Sequence, residues 1–297
     1  MAGIRVSVGW AVFGLLSIVI VGVLAPQGLW LLGFLALVIV SHEAGHYLVA
    51  RRGGMMPTEF YWGFGPEVFS VERNGCRYGI RALSVGGYVK LEGMNPSSEL
   101  PEGFDEAGSF RAAPHRWRVA TVLAGPAVNL IVAWVAFVVA ALLRDQGLPE
   151  AAISAIGDVW FVIDGTASSL VGLATDMGSY LGAVFGANTE PPVRFMSPVG
   201  QAALSGKVVA AGPWASLIWL GVLSTAIGVL NLVPLPPLDG SHALVAAVEG
   251  TVRKLRPHRH FQLDMKRALP LAWVTVGVLV LISASALVMD IREVALP

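Results

Sequence analysis

A His-Glu-x-x-His pentapeptide, residues 42–46, lies in a run so apolar that no charged residue precedes it back to Arg5. On a helix, His42 and His46 are one turn apart, so both imidazoles can reach one metal ion. Glu43 lies beside them and can accept a proton from a bound water, whose pKa a zinc ion lowers towards about 7. The spacing predicts a hydrolytic zinc site, and its apolar setting supports this because such residues are costly in a membrane without a role.

A hydrolytic zinc site needs a third protein ligand and one open position for water. "HEAGHYLVARRGG" offers no ligand shortly downstream, and the next acid, Glu59, follows a loop. Asp239, in the block "NLVPLPPLDGSHAL" at 231–244, is the candidate for the third ligand. The alternative is that Asp239 only caps the N-terminus of a helix. His242, three residues on, competes with Asp239 as the third ligand and would give a site of three histidines.

Depth supports a meeting of these two segments. From residue 29 to His42 a helix rises about 20 Å, and from Trp214 to Asn231 it rises about 26 Å. If residue 29 and Trp214 both lie at the outer face of the membrane, His42 and Asn231 lie in the cytoplasmic third of roughly 30 Å of hydrocarbon. The prolines after Asn231 can hold Asp239 at nearly the same depth.

The composition indicates a membrane protein. The 297 residues are 55% hydrophobic and 13% charged, whereas soluble domains average about 25% charged residues. A net charge of zero offers no basic surplus for nucleic acid. The single cysteine, Cys76, excludes an internal disulfide framework and a cysteine-based structural zinc site.

The pattern predicts a single domain over 1–297: an all-α polytopic membrane protein with about five transmembrane helices and a small membrane-associated β-hairpin or sheet. A span takes roughly 20 apolar residues. The first apolar stretch could instead be a cleaved signal peptide, but "VLAPQ" is a poor cleavage sequence. We expect spans at 8–25, 29–50, 117–143, 214–255 (broken at the prolines of 231–240) and 270–289.

Basic residues predict the orientation. Nine of the 20 Lys and Arg residues lie in 51–118 and six in 253–267, so both segments are expected to be cytoplasmic. The N-terminus is then inside and the C-terminus outside. The segment 145–213 is expected to be external or interfacial, because Asp158, Asp164 and Asp176 interrupt 154–187, although a double crossing keeps the same parity.

A β element is predicted at 66–93 on the cytoplasmic side. Asn74-Gly75 suits the type I′ turn of a tight hairpin, and "GGYVKLEG" is a further extended run. A sheet of so few strands is stable only if one of its faces is covered. We therefore expect this sheet to rest on or dip into the membrane.

Together these blocks resemble the site-2 protease family of intramembrane zinc metalloproteases. The resemblance rests on HEAGH, "ARRGG", "YWGFGP", "GGYVKLEG", "AGPAVNLIVAW" and "NLVPLPPLDGSHAL" in this order. It implies a Zn2+ cofactor held by His42, His46 and Asp239, with Glu43 as the catalytic base.

The resemblance also implies substrate-contacting residues. Asn231 would contact the substrate or the oxyanion, and Asn129, in "GPAVN", is a weaker candidate for the same role. The strand that begins Gly86-Gly87-Tyr88 would hold the substrate as an added strand. Relatives that cut anti-sigma factors usually carry PDZ domains, but 145–213 is too short for one, so this resembles a member that lacks it.

We therefore expect an enzyme that hydrolyses a peptide bond in or near the transmembrane segment of a single-pass membrane protein. Its partners are this substrate and the lipid bilayer, with no nucleic acid, and in a bacterium it would lie in the inner membrane. Two rivals are a metal transporter, which predicts polar groups along a whole path, and a non-proteolytic scaffold of the same fold, which would be free to lose HExxH or LDG.

Overall fold

The computed structural model describes residues 4–24, 26–95, 98–184, 195–255 and 268–295. The chain begins with a short strand, a helix, and the helix that carries HEAGH: β1 (Ile4–Val6), α1 (Val8–Leu24) and α2 (Gln27–Arg52). Two long strands and a central helix follow: β2 (Pro57–Arg73), β3 (Cys76–Leu91) and α3 (His115–Leu142). The remaining elements are helices: α4 (Leu148–Thr175), α5 (Met177–Val184), α6 (Pro198–Ala211), α7 (Pro213–Asn231), α8 (Asp239–Leu255) and α9 (Leu269–Ala295).

Among the described residues, five helices are long and apolar enough to cross a membrane: Gly28–Arg52, His115–Leu142, Leu148–Thr175, Pro213–Asn231 and Leu269–Ile291. These helices and the small sheet confirm the predicted fold class. The set differs from the predicted one in one member. The first apolar stretch forms α1, which the structure describes over the 17 residues Val8–Leu24, whereas α4 qualifies by length and composition.

In the described parts of the segment 145–213 the regular elements are the helices α4 and α5, helix α6 and the start of α7, and none is a strand. The predicted external or interfacial position of this segment stays a prediction, and it depends on α4. Most of the basic cluster 253–267 lies outside the described residues.

Small residues let three helices approach closely around the centre of the bundle. A Cβ on Gly45 of α2 would lie 2.7 Å from the Ala124 carbonyl oxygen of α3. A Cβ on Gly228 of α7 would lie 3.0 Å from the Cβ of Asn129. Helices in lipid associate through such close packing. Helix α3 is therefore sandwiched between α2 and α7.

The sheet has the order β1-β2-β3. Asn74 and Gly75 connect β2 to β3 with φ of 52° and 74°, as a type I′ turn requires, and Arg73 pairs with Cys76 across it. The predicted hairpin turn is therefore present, although β2 begins at Pro57 rather than at residue 66.

Bulges bend the two long strands so that β2 has partners on both sides. Tyr61, for example, pairs with both Gly79 and Tyr88. Residues 87–91 therefore lie at an edge and, within the described chain, pair on one side only. At the far edge, β1 pairs with β2, with Ile4 opposite Val71.

Aromatic contacts fasten the sheet to α2. The Tyr47 ring meets Phe60 and Tyr78 edge-on at 5.8 and 5.9 Å between ring centroids. The Tyr47 and Tyr78 hydroxyls share a hydrogen bond. Burial, together with this bond, raises the pKa of Tyr78, which keeps its hydroxyl protonated. The sheet thus lies beside the turns of α2 that carry HEAGH.

Candidate metalloprotease site

The two histidines of HEAGH lie on one face of α2, as their spacing predicts. Both are largely buried, and their Nε2 atoms are 3.1 Å apart. The imidazole planes are nearly perpendicular, at 80°. Two ring nitrogens are thereby directed at a common point from successive turns.

Asp239 completes a triangle of donor atoms. Helix α7 ends at Asn231 before the prolines, and α8 begins at Asp239, so the chain returns to α2 at this point. The Asp239 Oδ2 atom lies 3.0 Å from His42 Nε2 and 3.2 Å from His46 Nε2. A tetrahedral zinc ion bonded to nitrogen and oxygen at about 2.0–2.2 Å separates its ligand atoms by about 3.3 Å. The triangle fits that ion.

The alternative ligand, His242, is not part of this triangle. The described residues whose donor atoms cluster closely enough to share a metal are His42, His46 and Asp239. His242 lies three residues further along α8 and is half-buried.

Helix α3 orients the histidines from behind. His46 Nδ1 donates a hydrogen bond to the Thr121 carbonyl oxygen at 2.7 Å, which leaves the Nε2 lone pair free for a metal. His42 Nδ1 is buried and has no hydrogen-bond partner within the described parts of the chain. Thr121 was not a predicted site residue, and a backbone carbonyl leaves no trace in the residue type.

Gly125 lies directly against both imidazoles. A Cβ at this position would come within 2.6 Å of His42 Nε2 and would also overlap His46 Nε2. Glycine therefore lets α3 approach the donor triangle without filling it. The glycine of "AGPAVN" was the available signal, but the resemblance directed attention to Asn129 instead.

Glu43 faces the edge of the sheet. Gly87 packs against it, since a Cβ on Gly87 would lie 3.0 Å from Glu43 Cγ, and the Val89 backbone amide interacts with the Glu43 carboxylate. The candidate base thus lies where the free edge of 87–91 meets α2.

The other predicted substrate-contacting residues take different places. Asn129 is fully buried between α3 and α7, where Ser224 donates to its carbonyl oxygen, whereas Asn231 is half-buried at the end of α7. Gly86 packs under the Phe64 ring. Tyr88 stacks on Tyr61, and its hydroxyl donates to Glu59 at 2.6 Å.

Comparison with known proteins places this geometry in a family. Residues 30–273 match the model of Peptidase family M50. The chain belongs to this family. The match spans HEAGH, β2 and β3, α3 and the Asp239 block, so it covers every element of the site, and it confirms the resemblance to site-2 proteases.

Relatives of this M50 protein are named as zinc metalloproteases. A Brucella suis protein, provisionally so named, is 26% identical over 316 residues, or 72% of this chain and 83% of that protein. A Mesorhizobium japonicum protein, also provisionally named, is 26% identical over 345 residues, or 82% and 94%. Zinc metalloprotease Rip1 of Mycobacterium tuberculosis is 37% identical over 112 residues, or 38% of this chain and 27% of Rip1.

The M50 protein is therefore an intramembrane zinc metalloprotease and an integral membrane protein, and its cofactor is Zn2+. These findings favour the predicted protease over the transporter and scaffold alternatives.

Proposed function

We propose that His42, His46 and Asp239 hold the zinc ion and that Glu43 is the catalytic base for hydrolysis of a peptide bond in or beside a transmembrane segment. The observation that carries this proposal is the donor triangle, with sides of 3.0–3.2 Å, beside Glu43 and an open strand edge.

The chemistry divides between the ion and the chain. A zinc ion held by His42, His46 and Asp239 would supply Lewis acidity, which would acidify the attacking water and polarise the scissile carbonyl. Glu43 takes a proton from that water as the oxygen of the water bonds to the carbonyl carbon. The same carboxyl then delivers the proton to the amide nitrogen as the carbon–nitrogen bond breaks, so Glu43 ends the cycle ionised.

Asn231 is the better candidate than Asn129 for stabilising the oxyanion. Both Asn129 amide atoms are buried between α3 and α7, and they have no partner among the described residues. Asn231 is half-buried at the end of α7, next to the chain that leads into Asp239. Its amide can donate to a carbonyl oxygen that gains negative charge.

The substrate is held by strand addition at 87–91. A helical transmembrane segment satisfies its own amides, so it must unwind before a protease can reach a peptide bond, and pairing with a sheet edge replaces the lost hydrogen bonds. The edge of 87–91 borders Glu43, which would bring an added strand to the base.

The site opens towards the cytoplasm in this proposal, with the N-terminus inside and the C-terminus outside. His42 lies about 20 Å along α2 from residue 29, which leaves about 10 Å to the cytoplasmic boundary of the hydrocarbon. A short inlet near Arg51 and Arg52 then suffices to supply water. The substrate class is a single-pass membrane protein.

Quantitative proteomics of membrane fractions tests this function. Cells that carry the active enzyme are compared with cells that carry Glu43→Gln at the same level. We expect full-length single-pass proteins or their membrane stubs to accumulate in the variant and to disappear when the active enzyme is restored. If no species accumulates, the protease proposal fails, and zinc uptake into vesicles would then favour a transporter.

A further inference from the structure

One face of α8 is docked onto α3. Positions 239, 243, 246 and 250 share this face by helical spacing. Ala246 is buried, and Ala243 packs against a core cluster that includes Val122 of α3. At the far end, a Cβ on Gly250 would lie 2.5 Å from His115 Nε2. The docked face of α8 therefore extends from Asp239 to Gly250, which lies against the start of α3.

A buried ion pair closes the far end of this interface. The Arg118 guanidinium lies 3.0 Å from Glu249 Oε2, and the two side chains are 12% and 6% exposed. The guanidinium carbon also lies 5.9 Å from the Phe110 ring centroid. Removing two charges from water is costly, so such a pair is weak evidence for added stability, whereas losing one partner leaves an uncompensated buried charge.

The same stretch of α3 reaches the metal site. Arg118 lies one turn before Thr121, whose carbonyl oxygen accepts the hydrogen bond from His46, and Gly125 follows one turn later against both imidazoles. Three successive turns of α3 thus contact α8, His46 and the donor triangle.

We propose that the Arg118–Glu249 ion pair is a positioning device for the metal site: it fixes α8 on α3 so that Asp239 meets His42 and His46. This inference rests on the proposed role of Asp239 as a zinc ligand.

Helix α8 itself connects the ion pair to the metal site. Glu249 is ten residues from Asp239 on α8, about 15 Å along the axis. Residues 232–238 before Asp239 are not helical, and the element that α8 chiefly contacts among the described residues is α3, so these contacts contribute to the orientation of α8. A metal site tolerates errors of only about 0.2 Å in its ligand distances, so a small tilt of α8 at Glu249 would move Asp239 out of range.

The test measures zinc affinity in the full-length, detergent-solubilised protein by competition with a chelator. We expect Glu249→Gln to weaken zinc binding by about 10- to 100-fold, the usual cost of losing a group that orients a ligand. Circular dichroism should show unchanged helix content. Glu106→Gln is the matched control, because the Arg111–Glu106 pair has the same 3.0 Å distance but Glu106 is 66% exposed, and its zinc affinity should equal that of the unchanged protein.

Two further variants separate positioning from general stability. Exchanging the charges, Arg118→Glu with Glu249→Arg, should restore most of the lost affinity. In an Asp239→Asn background, Glu249→Gln should cause no additional loss, because α8 then no longer carries the ligand. If Glu249→Gln does not fold, the exchanged pair decides alone: it should bind zinc nearly as the unchanged protein does.

Unchanged affinity in a folded Glu249→Gln protein overturns the inference, as does an exchanged pair that does not bind zinc. Equal losses in the presence and absence of the Asp239 carboxylate would also overturn it. Failure of the proposed function looks different, because the unchanged protein itself would then fail to bind zinc.

Discussion

At the scale of single residues, the donor triangle depends on the absence of a Cβ atom at position 125. Gly125 of α3 lies so close to His42 and His46 that any side chain would take the space of the ion. The Thr121 carbonyl fixes the His46 tautomer from the same helix. The proposed ligands come from α2 and α8, but α3 contacts both histidines and orients His46.

Gly125→Ala should therefore weaken zinc binding by at least about tenfold, since its methyl group meets both Nε2 atoms. The measurement is chelator competition on the purified protein. Gly157→Ala on α4, where an added Cβ meets nothing within 4 Å, is the matched control and should bind zinc normally. A Gly125→Ala protein with undiminished affinity would show that the donor triangle forms elsewhere.

Residue types revealed part of this site. The spacing in HEAGH placed His42 and His46 on one helical face, and the structure brings both together with Asp239. The residues alone left His242 open as the third ligand, because one helical turn separates it from Asp239. The roles of Thr121 and Gly125 were not predicted, because a backbone carbonyl and the absence of a side chain act only through tertiary contacts.

At the scale of elements, the sheet presents one edge to the site and closes the other. Residues 87–91 lie beside Glu43, whereas β1 pairs with β2 at the far side, with Val6 opposite Phe69. Three residues, Ile4–Val6, are too short for alternation to predict a strand. The Asn74-Gly75 turn was predictable because its positive φ angles demand those residue types.

Gly87→Val should reduce cleavage without removing zinc. A Cβ there would lie 3.0 Å from Glu43, Ile39 and the Tyr61 carbonyl oxygen, so a branched side chain disturbs the edge that receives the substrate. We expect kcat/KM to fall at least about tenfold, or about 1.4 kcal/mol of transition-state stabilisation. Val6→Ala, at the far edge, should cleave normally. Full activity in Gly87→Val would argue against strand addition at 87–91.

At the scale of the whole molecule, composition predicted a polytopic membrane protein, and the positions of its individual spans stay predictions. Apolar content made the stretch 8–25 a candidate span, and the structure forms helix α1 there over Val8–Leu24. Carboxylates at Asp158 and Asp164 argued against α4, but the structure makes it one continuous helix of 28 residues packed on α3. Helix length is a property of packing and termini, which single-residue hydropathy does not report.

Sidedness can be measured with single cysteines in a Cys76→Ser background. Glu102→Cys lies in an exposed loop of the expected cytoplasmic segment, and Gln146→Cys lies in the exposed turn between α3 and α4. We expect an impermeant maleimide to label Gln146→Cys in intact cells and Glu102→Cys only after permeabilisation. Asp176→Cys, at the end of α4, should be labelled from outside if 145–213 does not cross. Its protection in intact cells would contradict that placement.

The central claim is tested most directly by measuring zinc content and peptide-bond cleavage on one preparation of Glu43→Gln enzyme. The enzyme is reconstituted in liposomes with a single-pass substrate, beside the unchanged enzyme and Asp239→Asn. We predict that Glu43→Gln retains as much zinc as the unchanged enzyme but cleaves nothing, because the base is lost while the donor triangle stays whole. Asp239→Asn should bind zinc more weakly, through the two histidines alone, and should cleave nothing. A Glu43→Gln enzyme with normal turnover would contradict the mechanism.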